Sequence, residues 1–228
     1  MIKNLLNNSD FSLEQQQKRG VRITITVLLV FIILVLMGFV HKLSQPRVIT
    51  DSELRLNGAV KLQRARIIDN FELLSDSGVR FETKNLKGHW TLLFFGFTHC
   101  PDICPTTLSE LSKFYQMLDG DIQRDTKIIL VSVDPTRDKP KVLRDYVRYF
   151  NNEFQGVTGD FFDIKRFATQ LNIPFNKVTL EGGNYTVDHG SQVVLINPLG
   201  HYHAFFKAPL DPVKMKLTYR SIRATFNG

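Results

Sequence analysis

Residues 91–105 read TLLFFGFTHCPDICP, and the fold turns on how this stretch divides. Thr91 to Phe97 is largely apolar, too short for a buried helix, rich in Phe and interrupted by Gly96. Such a run predicts a strand covered on both faces. Helical spacing follows: Leu108, Leu111, Tyr115 and Leu118 fall at i, i+3, i+7 and i+10, with Gly120 as a stop. Proline suits the first helical turn, so Pro105 is expected to open the helix with Cys104 at its N-cap. Cys100 and Cys104 then share a strand-to-helix turn at the positive end of a helix dipole. That position favours thiolate over thiol.

These are the only cysteines among 228 residues. In a helical turn, their spacing of four puts Cβ atoms roughly 5–6 Å apart, close enough to form a disulfide with small adjustment. It equally lets two thiolates face one soft metal ion. A purely structural staple fits poorly, because a ring this small removes little loop-closure entropy. The pair points to chemistry.

Lys+Arg 29 against Asp+Glu 22 gives a net charge of +7. Residues 1–62 hold 8 basic and 4 acidic residues, so more than half of the excess lies around one apolar stretch. The remainder shows no aromatic-basic stripe, which argues against a nucleic-acid partner. From Ile23 to Val40, ITITVLLVFIILVLMGFV carries no charge. As a helix it is about 27 Å long, against a hydrocarbon core of roughly 30 Å. Cleaved signals have a shorter apolar region and a small-x-small site, which Phe39-Val40-His41-Lys42 lacks. The expected organisation is a loosely ordered cytoplasmic tail (1–22), a transmembrane anchor (23–40), a linker (41–61) and one domain (62–228). Lys3, Lys18, Arg19 and Arg22 precede the anchor; Lys42, Arg47 and Arg55 follow it. That bias favours the N-terminus inside. Asp10, Glu14 and the short tail argue against a transit peptide, so a bacterial inner-membrane protein facing the periplasm is expected.

Within the domain, Ala65 to Ile68, Glu72 to Leu74 and Val79 to Phe81 surround two turn signals and read as an N-terminal hairpin. Lys127 to Val133 is a second buried strand, and Asp138-Lys139-Pro140 a helix start with Asp138 as N-cap. Phe161 to Leu171 reads as a short helix. Val193 to Ile196 and Tyr202 to Phe206 are strands, and Pro212 to Phe226 a closing helix. Strand, helix, strand, helix, hairpin, helix is the thioredoxin order. The expected class is α/β, thioredoxin-like, with an extra N-terminal β-hairpin and a single transmembrane helix before it.

Here the chain resembles the Sco/SenC proteins of cytochrome c oxidase assembly. The resemblance rests on FFGFTHCPDICP at 94–105, VSVDPTRD at 131–138, Val157-Thr-Gly159 and Val187-Asp-His-Gly190, and it covers roughly residues 62–226. It implies a thioredoxin fold and one copper ion bound by Cys100, Cys104 and a distant histidine, His189. Two thiolates and an imidazole form a soft site suited to Cu(I), and tolerable for Cu(II) with added ligands. A structural zinc site asks for a fourth protein ligand. His189 is expected in a polar turn before the strand at Val193, with Asp188 as its hydrogen-bond partner or as a turn former.

Other residues read more plainly. His99 matches a family position that is not a ligand. His201 and His203 share a strand face, and an exposed pair explains them better than a metal. Asp134 and Arg137 fit turn formation and local pairing. Asp102 adds negative charge beside the thiolates, His41 and His89 show no role, and Trp90 reads as core. Two functions follow. One is a copper chaperone delivering to the CuA site of an oxidase subunit, with a periplasmic copper donor or thiol reductant as further partner. The other is a thiol-disulfide oxidoreductase that reduces the CuA-site cysteines. The distant imidazole separates them, since disulfide exchange does not need it.

Overall fold

The computed structural model describes residues 2–44 and 47–227, and only the backbone of 2–18, 43, 44 and 181. It divides into two compact units, Met1–Pro46 and Arg47–Gly228. The first is a single helix, α1 (Ile2–Ser44), so the expected loose tail continues the helix instead. Its segment Arg19–Lys42 is long and apolar enough to cross a membrane, with a mean hydropathy of 3.1 over an 18-residue window. Thr24 and Thr26 return their hydroxyls to the carbonyls of Gly20 and Arg22, at 3.1 and 2.9 Å. These polar groups are satisfied inside the helix, as an apolar surrounding requires.

The second unit starts earlier than the expected Leu62. Residues read as linker form helix α2 (Asp51–Leu56), closed by a reciprocal cap between Thr50 and Glu53. Ile49 donates its N–H to Ser221 Oγ at 2.9 Å, and Leu54 is buried. Thr50-Asp51-Ser52, inside the expected linker, is a helix start; loops and caps use the same residues.

The strands are β1 (Ala59–Arg66), β2 (Glu72–Ser75), β3 (Arg80–Glu82), β4 (Trp90–Gly96), β5 (Thr126–Ser132), β6 (Gln155–Thr158), β7 (Phe175–Thr179), β8 (Tyr185–His189), β9 (Val193–Ile196) and β10 (Tyr202–Phe206). Eight of them form one sheet in the order β1-β10-β9-β4-β5-β6-β2-β3, while β7 and β8 pair alone. An N-terminal hairpin is formed by β2 and β3, paired antiparallel with Leu73 opposite Phe81. Gly78, at φ 81°, makes the left-handed residue of its turn. The segment from Ala65 does not join it: β1 ends at Arg66 and pairs with β10 at the opposite edge.

Every residue of β4 is buried, and it pairs parallel with β5 and antiparallel with β9. A strand apolar on both faces must be covered on both. The helices that follow are α3 (Ile103–Gln116), α4 (Gly120–Arg124), α5 (Pro140–Phe150), α6 (Phe161–Gln170) and α7 (Pro212–Ala224). Among them α3 packs against α5 and α7, and α6 against β2. This is the expected thioredoxin-like α/β arrangement. Three local expectations shift. Asp102 rather than Cys104 occupies the cap of α3; Gly120 opens α4; and Lys139 stands at the cap of α5. Asp138 is fully buried instead, taken up by interior donors.

Gly96 ends β4 where the sheet meets α3. A Cβ there would stand 2.8 Å from Cys104 Sγ, 3.0 Å from Phe94 and 3.2 Å from Leu130. Gly96→Ala is therefore expected to destabilise the fold by about 1–3 kcal/mol, the usual range for overpacking. A urea titration with the midpoint unchanged would contradict this packing.

Candidate metal centre

The site begins where β4 releases the chain. Val133 donates its N–H to the Gly96 carbonyl at 2.9 Å, and Cys100 donates to that of Phe97 at 3.2 Å. Between them, the buried Asp138 carboxylate accepts from Thr98 N–H (3.0 Å), Thr98 Oγ1 (2.6 Å) and Ser132 Oγ (2.7 Å). A buried charge is tolerable when hydrogen bonds satisfy it in this way. The same bonds fix the backbone two residues ahead of Cys100.

Cys104 lies in the first turn of α3, fully buried against Gly96, whereas Cys100 is half-buried. The Cys104 N–H donates to Cys100 Sγ at 3.4 Å. His189 arrives from the end of β8, not from a turn as expected, with Nε2 3.5 Å from Cys104 Sγ. Its Nδ1 is 3.1 Å from the Gly190 carbonyl. A carbonyl only accepts, so Nδ1 carries the proton and the Nε2 lone pair faces the sulfurs. The rings of Phe94 and Phe97 meet the imidazole edge-on, with centroids 6.0 and 5.9 Å away.

The three donor atoms lie within 4.8 Å of one another. Donors about 2.0–2.3 Å from a shared ion stand roughly 3.5–4 Å apart, so little contraction is needed to hold one. Both cysteines are free thiols. Cys100 is pulled down to about 5, first by the hydrogen bond from the Cys104 side chain, then by the Cys104 and Asp102 backbone, against an opposing effect of burial. Cys104 moves the other way, pushed up by its bond to Cys100 and by burial. In the reduced pair one proton serves two sulfurs: Cys100 carries the charge and Cys104 the hydrogen. The arrangement suits a soft cation or a dithiol-disulfide exchange.

The remaining candidates are placed as follows. His99 is exposed, with Nδ1 3.0 Å from Thr98 Oγ1, outside the donor triad. Asp102 is exposed at the cap of α3 without a side-chain cap bond. Asp188 is exposed and next to His189 on β8, so it faces the other way; Gly190 fills the partner role considered for it. Rather than forming an exposed pair with His201, His203 packs edge-on against Trp90 and Phe226, both 5.6 Å away. Asp134 is buried and pairs with Arg137. Sequence reasoning missed the roles of Asp138, Gly96 and Thr98. The signal for Asp138 was a carboxylate just after a buried strand, and it was spent on a helix cap.

Comparison with known proteins places this geometry. Residues 59–222 match the family described as SCO1/SenC. An SCO2-like protein of Rickettsia felis is 32% identical over 192 residues, covering 82% of this chain and 92% of the relative. The crystal structure of Arabidopsis thaliana ScoI with copper bound is 32% identical, with a TM-score of 0.65 over 70% of this chain and 99% of that one. BsSco, a member of the Sco family of cytochrome c oxidase assembly proteins with an identified disulfide switch, is 25% identical, with a TM-score of 0.55 over 71% of this chain and 97% of its own.

The shared proton has a measurable consequence. The anion is what alkylates, so modification of Cys100 by iodoacetamide should rise with pH through about 5 and be level at neutrality. Cys104 should stay unmodified. Cys104→Ala removes the main hydrogen bond to Cys100 and should move the midpoint up, towards the ordinary thiol range. A parent midpoint already in that range would show that the two sulfurs do not share a proton.

Proposed function

The chain belongs to the SCO1/SenC family, and from that premise we propose that it is a membrane-anchored copper chaperone: Cys100, Cys104 and His189 hold one copper ion and deliver it to the CuA site of cytochrome c oxidase during assembly. The observation that carries this reading is the convergence of two sulfurs and an imidazole Nε2 within 4.8 Å. The copper-bound Arabidopsis relative and the oxidase-assembly role of the BsSco family support the cargo and its destination. To take up the ion, Cys104 gives up its proton while Cys100 is already ionised near neutral pH. His189 brings its lone pair without losing a proton. The partners on this reading are the CuA-bearing subunit and a periplasmic copper donor or thiol reductant. The helix within Arg19–Lys42 serves as the anchor. The basic residues before it favour the N-terminus inside, with the folded unit in the periplasm of a bacterial inner membrane.

A second reading is favoured by the asymmetry of the two cysteines. Cys100 is the accessible thiolate and Cys104 the buried thiol. Such a pair can reduce a disulfide in the oxidase subunit. Cys100 attacks one sulfur of the target and releases the other as thiolate. Cys104 then loses its proton and attacks Cys100, freeing the second target sulfur. Two electrons pass to the target, and this chain is left with an internal disulfide. Oxidation also removes two of the three copper donors, so the disulfide and the loaded state exclude one another.

Two measurements test these readings. A periplasm-dependent reporter fused after Gly228 should be active; activity only in the cytoplasm would overturn the orientation. His189→Ala should leave the fold and disulfide exchange intact while weakening Cu(I) retention against a competing chelator, and oxidase assembly should fall with it. Retention equal to the parent would remove His189 from the ligand set. Loss of copper with normal assembly would put the reductase reading ahead.

A further inference from the structure

The Cys100 loop and the β8 strand that carries His189 are far apart in sequence, yet both bond to one segment between β5 and α5. On the cysteine side, Thr98 is held by Asp138 through its N–H and its hydroxyl. Asp138 accepts from Ser132 Oγ at 2.7 Å, and that hydroxyl in turn accepts the N–H of Asp134 at 3.0 Å. On the histidine side, Tyr185 donates its hydroxyl to Asp134 at 2.9 Å. Arg137 donates Nε to Asp134 and Nη1 to the Tyr185 carbonyl, the latter at 3.4 Å. Its guanidinium lies 4.0 Å from the centre of the Tyr185 ring and 5.7 Å from that of Phe97. Lys177 of β7 approaches the same tyrosine ring at 3.6 Å.

Tyr185, Val187 and His189 alternate along β8 and so share one face. A strand is stiff over this distance, so fixing Tyr185 at one end limits where His189 stands at the other. Phe97 completes the link, because its ring touches the Arg137 guanidinium and the His189 imidazole.

We propose that Asp134, Arg137, Asp138 and Tyr185 are positioning residues for the metal centre: a single hydrogen-bonded bridge that sets the distance between the cysteine pair and His189. The inference rests on the reading of Cys100, Cys104 and His189 as the copper ligands. It assigns the bridge no contact with the ion. Its effect is geometric: the donors are held close to their working separation before any ion arrives, so binding does not have to order the β7–β8 hairpin.

The test uses the full-length chain in detergent, with histidine isotopically labelled. Tyr185→Phe keeps the ring and its packing on Arg137 but deletes the bond to Asp134. In the metal-free protein, the His189 ring resonances should move from their parent positions, because the imidazole shifts relative to the Phe94 and Phe97 rings. Cu(I) affinity by chelator competition should fall about tenfold, the lower end of the 10–100-fold loss seen when groups that orient a ligand are removed. The thermal midpoint should change little. Asp134→Asn should have a larger effect on both readouts, and Tyr185→Phe carries the test if that variant does not fold. Lys141→Ala, which removes an exposed ion pair with Asp145, is the control. Unmoved His189 resonances with parent-like copper affinity in Tyr185→Phe would overturn the proposal. So would an affinity loss accompanied by a lowered thermal midpoint and unmoved resonances, which would mark a purely structural bond. If instead His189→Ala, run alongside, binds Cu(I) like the parent, the ligand reading itself fails; the resonances still report on the bridge.

Discussion

The burial of β4 on both faces governs this structure. A seven-residue strand with no exposed side chain has to lie at the sheet centre, with a strand on each edge and cover above and below. Parallel pairing with β5 requires a crossover, which α3 and α4 supply. The chain must therefore leave the sheet at the Gly96 end and turn at once into α3. Two consequences meet there. Polar groups at a helix start need partners, and a close-packed interior leaves no room beside Gly96 for anything larger than a hydrogen. The cysteine sulfurs occupy that corner because the sheet ends in it.

The parts of the fold that were legible are those in which burial and periodicity agree. Thr91 to Phe97, Lys127 to Val133, Val193 to Ile196 and Tyr202 to Phe206 are continuous apolar or alternating runs, and each became a strand within about one residue. Helices α3, α6 and α7 followed from spacing and punctuation. Elements without that signal were lost. The hairpin of β7 and β8 is mostly exposed, so its sequence carries no apolar run, and His189 was placed in a turn. Helix α2 was hidden because its cap residues also mark linkers. β1 was assigned to the wrong neighbour because strand pairing at an edge is set by the whole sheet, not by the nearest turn.

The site divides the same way. Cys100 and Cys104 are close in sequence, and their meeting follows from local geometry. His189 lies 85 positions from Cys104, and nothing in its surroundings singles it out; only the family resemblance did. Asp138 shows why polar residues are harder to read than apolar ones. A carboxylate before Lys-Pro is a good cap by local rules, but three interior donors outcompete that role. Local propensity sets a preference of about a kilocalorie, and a buried hydrogen-bond set is worth more.

The unequal burial of the two sulfurs gives the proposed chaperone a direction. Cys104 packs against Gly96, and His189 against Phe94 and Phe97, which leaves both side chains little freedom. Cys100 is only half-buried and is ionised at neutral pH without assistance from an ion. On the chaperone reading, the Cys100 side is therefore the open approach for a partner's donor. The same asymmetry makes Cys100 the attacking sulfur in the competing disulfide chemistry, so one geometry accounts for both readings and only the imidazole tells them apart.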